Sequence, residues 1–264
     1  VASGDWDGLE SLFASAHDYE GLVDVLSGEA DRTNNKEHKV ALSLRVARIF
    51  EQKIGEPTRA QRSYERVLSV DPGNVRAARA LAIIYEQEEK WPRLCAMLEI
   101  VLGSLGPEES AERLALLARL RTLSQERVRD VASAFEYALR YYRELPAEPA
   151  AREALESSAE AAQAFDRVVE AYRARAEATD AGEALTLYRR IAVIAGLRLG
   201  QTELAASYHE RVLNVVPTDA AAQSALESIY RQKDRPAEIR RVLVHKLQHE
   251  TQSQRRVELL RELA

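Results

Sequence analysis

The chain has 264 residues, 46% hydrophobic and 30% charged, a balance that lets a water-exposed chain bury a core. No run approaches the roughly 18 apolar residues of a membrane span, so no membrane insertion is expected, and the single cysteine, Cys95, excludes an internal disulfide and any multi-cysteine zinc site. With 37 Lys+Arg against 42 Asp+Glu the net charge is −5, which argues against a nucleic-acid binder living on bulk charge.

In chain order the expected elements are all helical. Trp6, Leu9 and Phe13, then Tyr19, Leu22 and Leu26, form two opening stripes. Over residues 39–54 the apolar side chains Val40, Leu44, Ala47 and Phe50 recur at three- and four-residue steps, one face of a helix. Gly55 follows, where a helix end needs a positive φ, and Pro57 suits the first turn of the next helix. That helix carries Ala60, Tyr64, Val67 and Leu68 and stops at Asp71-Pro72-Gly73. Asn74 is a candidate N-cap for a helix bearing Ala77, Leu81, Ile84 and Tyr85, and Trp91, Leu94 and Leu98 make the next stripe.

The chain then repeats itself. A shift of 145 residues aligns residues 45–100 with 190–245 without a gap, and 18 of the 56 positions are identical, among them Gly55/Gly200, Ala60/Ala205, Glu65/Glu210 and Tyr85/Tyr230. A diverged copy lies between, with Phe135, Leu139, Pro146, Leu155 and Phe165 standing where Tyr64, Leu68, Pro72, Leu81 and Trp91 stand in the first. Each copy of about 72 residues divides into halves of about 36, close to the ~34-residue helix–turn–helix period. The approximate units are 1–36, 37–72, 73–107, 108–146, 147–180, 181–217, 218–252 and a partial 253–264. A hairpin of this length cannot bury its own stripe, so the units are expected to stack on their sequence neighbours. Small residues, Ala47, Ala60, Ala192 and Ala205, stand where paired helices approach.

The chain opens on Val1, and Met97 is its only methionine. Val257, Leu259 and Leu263 match Val40, Leu42 and Val46, the opening of a further copy. The expectation is a fragment of a longer array, or an array whose uncapped ends self-associate. No signal peptide is visible, which means little when the start is missing. Only six of the 37 basic residues are lysine, a skew that hints at a GC-rich bacterial genome.

The units resemble tetratricopeptide repeats (TPR). The small residue, aromatic, glycine, alanine, aromatic and proline of that pattern stand here as Ala47, Phe50, Gly55, Ala60, Tyr64 and Pro72. In the second half-unit the matching residues are Leu81, Ala82, Tyr85, Trp91 and Leu98. Residues 47–55 hold one residue more than the pattern, and Leu94, Val168 and Ile239 replace its usual alanine. The resemblance implies an all-α, right-handed solenoid of six to seven hairpins, a non-catalytic scaffold for a protein or peptide partner. The competing reading is a regulatory or substrate-docking segment of a larger enzyme.

Motifs for catalysis are missing: there is no phosphate-cradling loop, nucleotide fingerprint or GxSxG elbow. No cofactor is expected. His245 and His249 are spaced i, i+4, but zinc would need a third ligand and Glu250 points to a different face, so solvated histidines are expected rather than a metal site. Cys95 sits in an apolar stripe and reads as a buried, inert thiol. Arginine clusters at Arg113, Arg119, Arg121, Arg127 and Arg129, and at Arg231, Arg235, Arg240 and Arg241, are interleaved with acids. They are expected to pair at i,i+4 on solvated faces, and no nucleic-acid partner is expected, since the aromatics fall on core stripes.

By the resemblance, the first helix of each hairpin lines an inner groove. That marks Leu44 and Arg48; then Arg76, Arg79, Ile83 and Glu86; Glu153 and Ser157 in the central copy; and Arg189, Val193, Ser224, Ser228 and Arg231 in the last. The lysine–asparagine clamp of chaperone-binding members is not matched, because none of the four asparagines falls on these positions.

Overall fold

A computed structural model describes residues 6–264, and among them every regular element is helical. They form two compact units, divided after Tyr137. The first holds α1 (Trp6–Ser15), α2 (Tyr19–Arg32), α3 (Lys36–Ile49), α4 (Pro57–Val70), α5 (Val75–Gln87), α6 (Trp91–Ser104) and α7 (Ser110–Leu123). The division falls inside α8 (Val131–Glu144). The second unit continues with α9 (Pro149–Ala162), α10 (Phe165–Glu177), α11 (Ala181–Leu197), α12 (Thr202–Val215), α13 (Ala220–Gln232), α14 (Pro236–His249) and α15 (Ser253–Leu263). None of the described helices is long and apolar enough to cross a membrane.

Local chemistry sets the helix ends. Asn35 caps α3, its side chain accepting from the His38 N–H at 3.1 Å, so the helix begins at Lys36 rather than at residue 39. Asn74 caps α5 through the Ala77 N–H, and 145 positions later Asp219 caps α13 through the Ala222 N–H. The extra residue between Ala47 and Gly55 is absorbed by a π-helical turn, Phe50–Ile54, which ends on Gly55 at φ 79°. A second π-turn, Ser124–Val128, ends on Arg129 at φ 62°. One left-handed residue stands in each turn from an odd-numbered helix to the next: His17, Gly55, Glu89, Arg129, Gln163, Gly200 and Asp234.

Within each unit a helix packs chiefly on the helices before and after it. In the first, Leu22, Leu26, Leu42, Leu81, Leu94, Leu117 and Leu120 are sealed from solvent; in the second, Leu155, Val168, Tyr172, Leu187, Ile191, Val212 and Leu226 are. Each such side chain contributes about 1.5–3 kcal/mol of burial. Ala47, Ala60, Ala192 and Ala205 are fully buried, which fits close approach of paired helices.

Charge pairing departs from the expected i,i+4 pattern. Most of the ion pairs join residues about one repeat apart. Arg79 reaches Glu112 at 2.7 Å, Arg119 reaches Glu86 at 2.6 Å and Arg190 reaches Glu156 at 2.6 Å. Arg59 forks onto Glu20, and Arg235 onto Glu203. Intrahelical contacts are longer, as between Arg231 and Glu227 at 3.7 Å. The cause is the stacking itself. It sets alternate helices side by side, where a guanidinium on a long stem reaches a carboxylate one repeat away with better geometry than one turn along its own helix.

Candidate protein-interaction surface

The sequence-marked positions are placed by helical period. On α5, Arg76, Arg79, Ile83 and Glu86 advance by three, four and three residues, so they share one face, and all four are exposed. Leu44 and Arg48 stand one turn apart on α3. In the first unit the structure brings Leu44, Arg48 and Arg76 together in one groove of about 780 Å³. Its floor is Val40, Leu44 and Val70, and its walls come from α1, α3, the end of α4 and the start of α5.

The electrostatics of this groove are uneven. Arg45 is held by Asp7 at 2.6 Å and Glu10 at 3.1 Å, and the Asp71 carboxylate accepts from the Asn74 amide at 2.9 Å. Lys36 and Glu37, at the start of α3, also line the groove. Arg48 and Arg76 make no ion pair or hydrogen bond with any described residue. Further along α5, Ile83 is 59% exposed between the Arg79–Glu112 and Glu86–Arg119 pairs. An apolar floor with two uncommitted guanidinium forks can bind side chains that carry both apolar groups and carboxylates.

The second unit presents different chemistry at the marked positions. Glu153 and Ser157 are exposed on α9, as are Ser224 and Ser228 on α13. Arg189 is tied to Asp219 at 2.7 Å and Arg231 to Glu262 at 3.5 Å. Burial pushes the Asp219 carboxyl up, but the Ala222 N–H and the Arg189 guanidinium more than offset it, and the group ends below its ordinary value. Val193 is 51% exposed, and Leu197, one turn beyond it, is 80% exposed. Sequence reasoning misses Leu197, although the i+4 step from Val193 points straight to it. It also misses Val40, Val70 and Arg45 as groove residues, because they converge only when α1, α3 and α4 are packed.

The His245 and His249 rings lie 4.9 Å apart, and burial together with His249 holds His245 below its ordinary value. His245 is half-buried with its Nδ1 shielded and unpartnered, rather than solvated as expected. No set of three metal-ligating side chains occurs among the described residues. Burial raises the Cys95 thiol, which disfavours the thiolate.

The repeat of about 36 residues, the neighbour-on-neighbour packing and the buried alanines at each close approach decide the type of unit. In length and packing the hairpins resemble tetratricopeptide repeats. No family model and no curated protein matches the chain. Solved structures similar to it include the Naa15/Naa10 complex bound to HypK-THB, at 13% identity and a TM-score of 0.43, covering 98% of this chain and 38% of that one. The APC/C hetero-tetramer Cut9–Hcn1 is similar at 15% identity and a TM-score of 0.33, covering 95% and 47%. The C-terminal part of a TPR repeat-containing protein from Cytophaga hutchinsonii is similar at 13% identity and a TM-score of 0.36, covering 95% and 97%. The chain thus spans less than half the length of the first two of these proteins.

Proposed function

We propose that this TPR-like chain is a protein-interaction scaffold without chemistry of its own, and that a peptide or helix of its partner docks on the odd-numbered helices. The observation that carries the reading is the groove of the first unit, lined by the apolar Val40, Leu44 and Val70 and by Arg48 and Arg76, which have no ion-pair partner among the described residues. A folded protein gains little by leaving such a concave apolar surface open, and a few anchors of this kind dominate binding energy.

Photo-crosslinking in the native cell tests it. A photoreactive residue at Ile83 should yield a discrete protein adduct, and one at Arg62, exposed on α4, should not. Adducts from Arg62 alone would place the partner on the other helices and contradict the reading.

A further inference from the structure

The packing of α14 on α13 carries polar groups where the first copy carries apolar ones. At the shift of 145 residues, His245 corresponds to Ile100, His249 to Ser104, Lys246 to Val101 and Glu227 to Ala82. Val101 and Ala82 are buried on α6 and α5, whereas Lys246 and Glu227 form an ion pair between α14 and α13 with both side chains largely shielded from solvent. The same hairpin thus folds without any of these four groups. The anchoring is also thinner: α14 buries Val242 and Leu243, where α6 buries Leu94, Leu98, Val101 and Leu102.

His245 lines a cleft of about 230 Å³ together with Leu213, Leu226 and Val242, and its Nδ1 is shielded from water with no hydrogen-bond partner among the described residues. The charged and titratable groups on that cleft are Glu210 of α12, Tyr230 of α13, and Glu238 and Arg241 of α14 itself. Glu210 accepts from the Tyr230 hydroxyl at 2.8 Å, and neither carboxylate bonds Nδ1. On the other side the His249 ring lies 4.9 Å away, in a second groove that it shares with Lys246, Glu250 and, from α15, Arg255, Glu258 and Glu262.

We propose that α14 is an acid-sensitive latch, packed on α13 while His245 is neutral and loosened when it gains a proton. A charged imidazole carries an N–H at Nδ1, which has no acceptor there, and it sets like charge beside His249 and Lys246. The two acids on the cleft do not reverse this balance, since burial first and His249 second hold His245 below its ordinary value. A group lowered on folding contributes stability that is complete above its unfolded value, about 6.5 for histidine, and is lost as pH falls from there through the folded value. With few buried anchors, α14 is where that loss shows as local opening.

The test is hydrogen–deuterium exchange of the full chain at about pH 7.5 and pH 5.5, corrected for intrinsic rates and read on α14 against α6. The variant His245→Ile imports the residue of the first copy. In the parent, α14 should exchange about tenfold faster relative to α6 at the lower pH, and in His245→Ile it should not. The His245 Cε1 proton, followed by NMR in the parent, should titrate below about 6.5. Equal acid sensitivity in His245→Ile, or α14 and α6 loosening together, would overturn the proposal. So would α14 exchange that pH leaves unchanged, or a His245 midpoint above about 6.5.

Discussion

The Tyr85 hydroxyl donates to Glu65 across 2.7 Å, and 145 residues later Tyr230 donates to Glu210 at 2.8 Å. Each bond ties the second helix of one hairpin to the first helix of the next, α4 to α5 and α12 to α13. Glu65 also accepts from Gln61 at 2.7 Å and faces Arg93. Burial pushes the Glu65 carboxyl up, but these donors and charges outweigh it and the group sits below its ordinary value. Tyr85→Phe should cost about 1 kcal/mol, measured by urea denaturation, because it leaves the half-buried Glu65 carboxylate one donor short, and Tyr230→Phe should cost less, because Glu210 is exposed. Equal stability in both variants would show that water replaces the hydroxyl freely.

The same pair predicts an alkaline limit. Burial first, then the hydrogen bond to Glu65, pushes the Tyr85 hydroxyl up to about 12, and burial pushes Tyr142 to about 12 as well. A group raised on folding contributes stability that is complete below its unfolded value, about 10 for tyrosine, and is lost as pH climbs through the folded value. Stability should therefore fall between pH ~10 and ~12, and the fall should shrink in Tyr85→Phe; pH-dependent melting followed by circular dichroism reads it.

Backbone sign is the next target. Gly55 and Gly200 stand at φ 79° and 65° with open space around them, so a substitution there is penalised by conformation alone. Gly55→Ala and Gly200→Ala should each cost about 1 kcal/mol. Glu89 and Asp234, equivalent to each other in the two copies, hold the same conformation with side chains attached. Glu89→Gly should gain a few tenths to about 1 kcal/mol by relieving it.

Ala60→Arg and Ala205→Arg place a charge where no space exists, since both alanines are sealed between helices. Each should cost more than about 3 kcal/mol, seen as a steep drop in Tm. The ion-pair ladder should behave oppositely. The coupling of Glu86→Ala with Arg119→Ala in a double-mutant cycle should stay below about 1 kcal/mol and fade in high salt, because both partners are exposed.

Much of this architecture is written in residues with short-range meaning. Gly55, Pro57 and Asn74 each act within a turn of themselves, so their roles are legible before any fold is known. The surplus residue between Ala47 and Gly55 is legible as a count but not as a shape; the π-turn appears only once Phe50 must bury itself while Gly55 still closes the helix. The left-handed residues at Glu89, Arg129, Gln163 and Asp234 give no signal, because any side chain can be forced there when packing outweighs about 1–2 kcal/mol. The charges were the least legible. Arg119 has neighbouring acids in sequence but finds Glu86 in space, a choice made by stacking. The groove shares that origin: Leu44, Arg48 and Arg76 follow from period and resemblance, whereas Val40, Val70 and Arg45 join them only through the packing of α1, α3 and α4.

The central claim, that the odd-numbered helices of the first unit form the docking face, is tested most directly by hydrogen–deuterium exchange of the full chain with and without the protein crosslinked at Ile83. The account predicts slowed exchange in α3, α5 and the last turn of α4 at Val70, with the rest of α4 and α6 unchanged. Protection confined to α4 and α6 would contradict it.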